Sequence, residues 1–464
     1  MPLHRILSPC RPELLRSFLA AAVLALIFLA RPTEFQAQTV RINLDEAIET
    51  AIRNNHDLRS AALNVRKADA QVTEAFGNAL PSLDLTASYT RNLQIPSFFV
   101  FPDNADPIEF RTGADNAVNA RLNLRQTVFN GAVFNGVGTS RVYAQISRMQ
   151  LRSQIGTTIL DVRNAYYSAL LAKEFLEVSQ TSLTNAEANY REVNVLFGEG
   201  LVSEFDAIRS EVEAANLRPV VETSRNRYED ARNNLKVVLG LDPLTEIELT
   251  DDFVYDSTLA PAVAVSALQT DVGNRNFDLQ TLQQQVEFNS QVIDIYRSEF
   301  LPTIDFIGNY TFDGQANDFD FLTSNASSVG LELRYNLFNG FRSSSRVEQA
   351  QVDELRAREQ ETLARKAVQS RVVNVMGRVR TAMLTISAQE RTIAQAQRGY
   401  DIARARYTEG LGSQVEINDA DEALRQAKLN KLQYIFDYMS ALAELDLLRG
   451  AVDERYIELV TTDE

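Results

Sequence analysis

Two periods alternate along this chain. Leu151, Ile155, Ile159, Val162, Tyr166 and Ala169 fall three or four positions apart, and Leu183, Ala186, Tyr190, Val193 and Phe197 continue with spacings of 3, 4, 3 and 4. Ile393, Ala396, Tyr400, Ala403 and Tyr407 repeat that second set 210 residues later, position for position. A mean spacing near 3.5 marks α-helices packed as a coiled coil. Proline is absent from 108 to 218 and from 303 to the C-terminus. The predicted helices therefore run from about Val133 to Phe197 and from about Phe341 to Tyr407, each ~65 residues or ~100 Å at 1.5 Å per residue. A globular helix averages about 11–12 residues, so rods of this length must lie against other rods. Each rod ends in a glycine-marked turn, Gly198-Glu-Gly200-Leu201-Val-Ser203 in one copy and Gly410-Leu411-Gly412-Ser413 in the other. Glycine supplies the left-handed helix end and serine the next N-cap. Ser413 with Glu416 forms a capping-box pattern, and Ser203 with Asp206 a weaker version. The return helices reach about Gly240 and Gly450, with Pro219 expected to kink or break the first.

Ahead of each rod the period changes to 2. Leu83, Leu85, Ala87 and Tyr89 alternate with Asp84, Thr86, Ser88 and Thr90; Val118, Ala120, Leu122 and Leu124 alternate with Asn119, Arg121, Asn123 and Arg125. The second half gives Ile304, Phe306, Gly308, Tyr310 and Phe312 against Asp305, Ile307, Asn309, Thr311 and Asp313, with Ile307 the one lapse. Val329, Leu331, Leu333, Tyr335 and Leu337 then alternate with Gly330, Glu332, Arg334 and Asn336. Strands of about ten residues with one apolar and one strongly polar face fit a transmembrane barrel. A soluble antiparallel sheet with one face on a core is the alternative, but the neighbouring sequence supplies only rods to cover it. Four strands leave two open edges, which a bilayer does not tolerate. Closure requires other copies of the chain: two copies give an eight-stranded barrel filled by side chains, whereas a larger ring leaves a channel.

The chain is thus written twice. LPSLDLTASYT at 80–90 returns as LPTIDFIGNYT at 301–311, LNLRQTVFNG at 122–131 as LELRYNLFNG at 331–340, and FGEGLVSEFDA at 197–207 as YTEGLGSQVEI at 407–417. Order is kept and spacing nearly so, which makes each half one structural unit. Repeat 1 is expected over 38–260, with strands about 81–91 and 118–129, a helical hairpin about 133–240 and its turn at 198–203. Repeat 2 is expected over 261–464, with strands about 302–313 and 328–338, a hairpin about 341–450 and its turn at 410–413. The offset between copies drops from 221 to 209 residues across the strand pairs because the first connecting loop, around 96–112, is longer than the second, at 314–325. Phe98, Phe99, Val100 and Phe101 make that first loop unusually apolar; plugging, packing on a rim and touching lipid all fit residues 97–101.

Composition narrows the partners. Charged residues make up 23% and apolar ones 45% of 464 residues, with a formal net charge of −16. That balance argues against a nucleic-acid partner, since nothing neutralises phosphates. Arg5, Arg11 and Arg16 precede a 13-residue apolar run, Phe18–Ala30. It is short for a bilayer span and has the layout of a secretory signal. Residues 1–37 are expected to be removed, with cleavage between Ala30 and Gln38; a retained anchor is the alternative. The single cysteine, Cys10, precedes the run, so neither a lipid anchor nor a disulfide is expected. His4 and His56 are the only histidines. With no histidine cluster, phosphate loop or nucleophile setting, no catalytic site, metal site or cofactor is expected.

The signal, LDEAIETAIRNNHDL at 44–58, the paired LPSLDL and LPTIDF strands and the paired turns resemble the TolC family of outer-membrane efflux proteins. The resemblance spans nearly all of the chain beyond the signal, and its specificity lies in order and duplication. It implies a mainly α protein with a membrane β-barrel: a homotrimer whose four strands per chain make one 12-stranded barrel in outer-membrane lipid, and whose hairpins make an α-helical barrel across the periplasm. The implied function is an exit duct for efflux or type I secretion, docked on a periplasmic adaptor and an inner-membrane transporter. By the same resemblance the closed tip is lined by acidic residues at Glu416 and Asp419, which share a helix face three positions apart and would ring a cation-attracting constriction. Two solvated charges at a helix start are the plainer reading. The family pattern also implies a tip held by a tyrosine, an arginine and an aspartate. Tyr407 and Asp206 match, while Gly412 stands where the arginine belongs, so that bridge cannot form here. Tyr407 also ends an apolar stripe, and packing explains it equally. The exposed turns, Gly198, Gly200, Leu201 and Ser203 with Gly410, Leu411, Gly412 and Ser413, are the expected adaptor contacts. A periplasmic adaptor or a soluble coiled-coil scaffold are the competing functions; the first would carry one hairpin and no ten-residue amphipathic strands.

Overall fold

The computed structural model describes residues 40–103, 106–260 and 264–462; the signal expected at 1–37, with Cys10 and His4, lies outside them. The described chain opens with a short strand β1 (Val40–Ile42), then α1 (Leu44–Asn54) and α2 (His56–Gly77). Asn43 starts α1 with a full capping box, its side chain accepting from the Glu46 N–H while Glu46 accepts from the Asn43 N–H. Next come β2 (Ser82–Arg91), a small hairpin β3 (Ser97–Val100) and β4 (Ile108–Arg111), and β5 (Asn116–Phe129). The first rod, α3 (Gly131–Gly198), returns as α4 (Glu204–Leu239) and β6 (Ile247–Leu249). The second half repeats the plan with α5 (Val265–Arg275), α6 (Phe277–Arg297), β7 (Thr303–Ala316), β8 (Leu322–Arg334), the rod α7 (Arg342–Thr408), α8 (Gln414–Leu448) and α9 (Glu454–Thr462).

Each rod has two sets of neighbours. Near the sheet, α2 and α6 flank α3, where Arg148 pairs with Asp69 at 2.7 Å and Tyr143 lies 6.2 Å from Phe288, while α6 also packs on α7. Toward the turns, α4 and α8 replace them, with Ser179 and Ser224 bonded at 3.1 Å and Lys431 paired with Glu390 at 3.0 Å. The main core sits midway, where α1, the ends of α4 and α8, and α9 surround both rods. Ile155, Val162, Val372, Val375, Ile386, Leu235 and Leu239 are fully buried there, each side chain stabilising by roughly 1.5–3 kcal/mol. Tyr166 pins the start of the chain to this core. Its hydroxyl donates to the Ile42 carbonyl at 3.1 Å and to Asp251 at 2.9 Å, while Asp251 also accepts from the Leu44 N–H. β1 and β6 pair in parallel beside it.

Three expectations need correction. Pro219 does not break α4, which runs unbroken to Leu239. One ladder bond is lost there, and Leu217 and Val221 on either side are buried. β8 stops at Arg334 rather than about 338, because its partner β7 begins at Thr303, opposite Arg334, and nothing pairs beyond. The chain then turns through Gly340 and Phe341, both with positive φ, into α7. At Ser413 only half of the capping box forms. The Glu416 N–H donates to Ser413 at 3.4 Å, while the Glu416 carboxylate lies 3.9 Å from Arg406.

Candidate pore and tip

The four long strands form one antiparallel sheet in the order β2-β5-β7-β8. Facing residues share a side, so its rows can be read across the register. Asp84, Asn123, Asn309 and Ser328 make one polar row, and Ser88, Asn119, Asp313 and Ser324 another. Asn119 donates to Asp313 at 2.5 Å, and Arg125 lies 3.3 Å from Asp305 and 3.9 Å from Glu332. The opposite face carries Leu83, Leu85, Tyr89, Val329, Leu331 and Leu333, all more than half exposed. A sheet polar on one side and bare hydrocarbon on the other, with unpaired backbone along β2 and β8, is unfinished in water and in lipid alike. Among the described residues no helix is long and apolar enough to cross a membrane.

At the far end the two turns have matching geometry. Gly200 and Gly410 adopt φ of 76° and 73°, and the Leu201 and Leu411 N–H groups reach back to the Leu196 and Arg406 carbonyls at 2.9 and 2.8 Å. Leu201 and Leu411 project into solvent. Glu416 and Asp419 are both exposed on the first turns of α8. Tyr407 is half-buried, and its buried hydroxyl has no hydrogen-bond partner. Burial raises its pKa, and the charges of Asp206 and Glu192 add to that. Asp206 is near enough to act on Tyr407 but is bonded instead to its own cap, accepting from Ser203 Oγ at 2.7 Å. The structure therefore brings Tyr407 and Asp206 into one neighbourhood without joining them.

Gly412 explains part of this. A β-carbon there would lie 3.1 Å from the Tyr407 nitrogen and 3.2 Å from Arg406 Cβ. The turn closes directly on the rod's last residues, and a side chain there would fit only if those residues gave way by a few tenths of an ångström. Arg406 supplies the local positive charge, donating to the Leu411 carbonyl at 3.1 Å. Near the tip, Arg404 of α7 pairs across the hairpins with Glu192 of α3 at 3.5 Å.

One tip residue escaped the sequence reading. Gln414, Ile417, Asp421 and Leu424 follow the 3, 4, 3 spacing, and three of them are buried while Asp421 is half-buried. A carboxylate thus occupies a seam position of α8. Burial raises its pKa, Arg425 opposes, Glu213 of α4 adds to the rise and Lys428 opposes. The signal was present as a polar interruption of the stripe.

At the sheet's other end, β3 and β4 form their own two-stranded ladder. Phe98 stacks on Phe110, centroids 5.5 Å apart.

The chain matches the family model described as outer membrane efflux protein over residues 47–241 and 269–451. It is 25% identical to outer membrane protein TolC of Salmonella enteritidis over 426 residues, 89% of this chain and 83% of that protein. It is 25% identical over 438 residues to alkaline protease secretion protein AprF of Pseudomonas aeruginosa, covering 91% and 87% of the two. Its fold superposes on the Campylobacter jejuni CmeC outer membrane channel with a TM-score of 0.72 at 17% identity, over 90% of this chain and 89% of that one.

Proposed function

The chain belongs to the outer membrane efflux protein family, an outer-membrane channel with helices extending into the periplasm, and from that premise we propose that three copies assemble into one passive exit duct. Each copy gives four strands to a 12-stranded barrel and two hairpins to a helical tunnel. The duct docks on a periplasmic adaptor and an inner-membrane transporter, through the turns around Gly200–Ser203 and Gly410–Ser413. It performs no chemistry; opening is a rearrangement of packed helices at the tip, where Tyr407, Asp206, Glu416 and Asp419 gather.

The observation that carries this is the unfinished sheet. Both edges, β2 and β8, are unpaired, and the apolar side chains Leu83, Leu85, Tyr89, Val329, Leu331 and Leu333 on those strands are exposed. The rods point the same way: Phe205, Ile208 and Val212 make an exposed apolar stripe on α4, at a spacing that suits a neighbouring helix. Four strands are too few to enclose water, and identical copies joined edge to edge close the ring. Native mass spectrometry of detergent-extracted outer membrane should give one species at three chain masses. A detergent-independent, water-soluble monomer would sink the reading.

A further inference from the structure

The apolar β3–β4 hairpin is unique to the first repeat and no step of the duct uses it. Phe98, Val100, Ile108 and Phe110 share one face of its ladder by register, and all four are exposed. A lone two-stranded hairpin is marginally stable in water, so this face calls for a cover. The hairpin is nonetheless firmly mounted. Asn92 bonds to the Asp115 and Ala114 carbonyls at 2.7 and 2.8 Å, and Tyr89 donates to the buried Asn116 at 2.7 Å. Asn116 in turn donates to the Asn317 and Asp318 carbonyls, fixing the β7–β8 turn in the same collar.

That turn carries Phe319, Phe321 and Leu322, the first and last of them strongly exposed. In a cyclic ring the β8 edge of one copy must meet the β2 edge of the next, and the strands there run antiparallel. Their relative height follows from the ladder. Ser82, Arg125, Ile307 and Gly330 share a row, yet β8 continues four residues further, to Arg334. Strand ends at one membrane level thus step down toward β8, as strand tilt demands. At the upper rim the same step lifts Leu322 about three residues above the end of β2 in the next copy, level with the base of its hairpin. Charge agrees. Arg91 and Arg111 flank the hairpin base, Asp318 and Asp320 sit on the turn, and none of the four makes an ion pair within the described residues.

We infer that the β3–β4 hairpin of one copy packs on the 317–322 turn of the next, a second copy of this chain being the partner that covers Phe98 and Phe110. It is an aromatic clamp across each seam at the outer rim, and it rests on the three-copy ring proposed above. The test is cross-linking in native outer membrane with a short flexible bis-maleimide, in a Cys10→Ser background. Ser97→Cys with Leu322→Cys reads the clamp; Leu85→Cys with Leu331→Cys reads the strand seam alone. Ladders of two and three chains from both pairs are expected, and none from any single substitution. A ladder from the strand pair without one from the clamp pair puts the hairpin against lipid or solvent and overturns the clamp while the ring stands. No ladder from either pair overturns both.

Discussion

A side chain on Gly412 would sit tightly against the backbone of Tyr407, 3.1 Å from its nitrogen. Replacing it with the arginine that the family pattern places there, Gly412→Arg, should not rebuild a bridge to Asp206. Crowding of this kind costs about 1–3 kcal/mol, so the turn should loosen: bilayer conductance rises and amide exchange across 405–417 quickens. Slower exchange with unchanged conductance would mean that the arginine found its partner after all. Asp421 gives the tip a pH dependence. Its carboxyl is raised in the packed helix seam, so the packing it permits is fully present below the usual aspartate value, about pH 4, and is lost as pH climbs through the raised value. Tip conductance should therefore increase from acid toward neutral pH, and Asp421→Asn should flatten that rise. Tyr407, Asp206, Glu416 and Asp419 were singled out only through the family resemblance. Asp421 was visible as a polar break in a regular stripe, but the pressure on it comes partly from Glu213 on the other hairpin, which local spacing cannot reveal.

Helices and strands were legible to the extent that they bury one face repeatedly. The 3.5-residue stripe marks α3 and α7, and the alternation marks all four barrel strands, because both patterns are enforced residue after residue. Elements lacking a repeated face were not. β1 and β6 are three residues each, too short to show a period, and β3 and β4 are four residues each, with Phe99 breaking the alternation of the first. Pro219 does not end its helix, because local chemistry is outvoted by the burial of Leu217 and Val221 on either side. Pro219→Ala should restore the ladder bond and slow amide exchange across 213–225, stabilising the hairpin by up to ~3 kcal/mol. Exchange unchanged from the parent would show that the neighbouring helix already absorbs the whole cost.

As a whole the molecule is built to be completed by its own kind. If the tips converge on an axis, Glu416 and Asp419 each become a ring of three carboxylates facing the lumen. Glu416→Ala with Asp419→Ala should then reduce cation over anion selectivity in planar bilayers, most strongly at low salt; selectivity left intact would remove both from the pore. The bare edges of the sheet carry a further consequence for inheritance. A strand edge damaged in one polypeptide spoils the seam it would have joined and leaves the whole ring open, however sound its companions are. Where a normal and an edge-defective allele are expressed equally and mix freely, only about one ring in eight escapes the defect, so such alleles should behave as dominant.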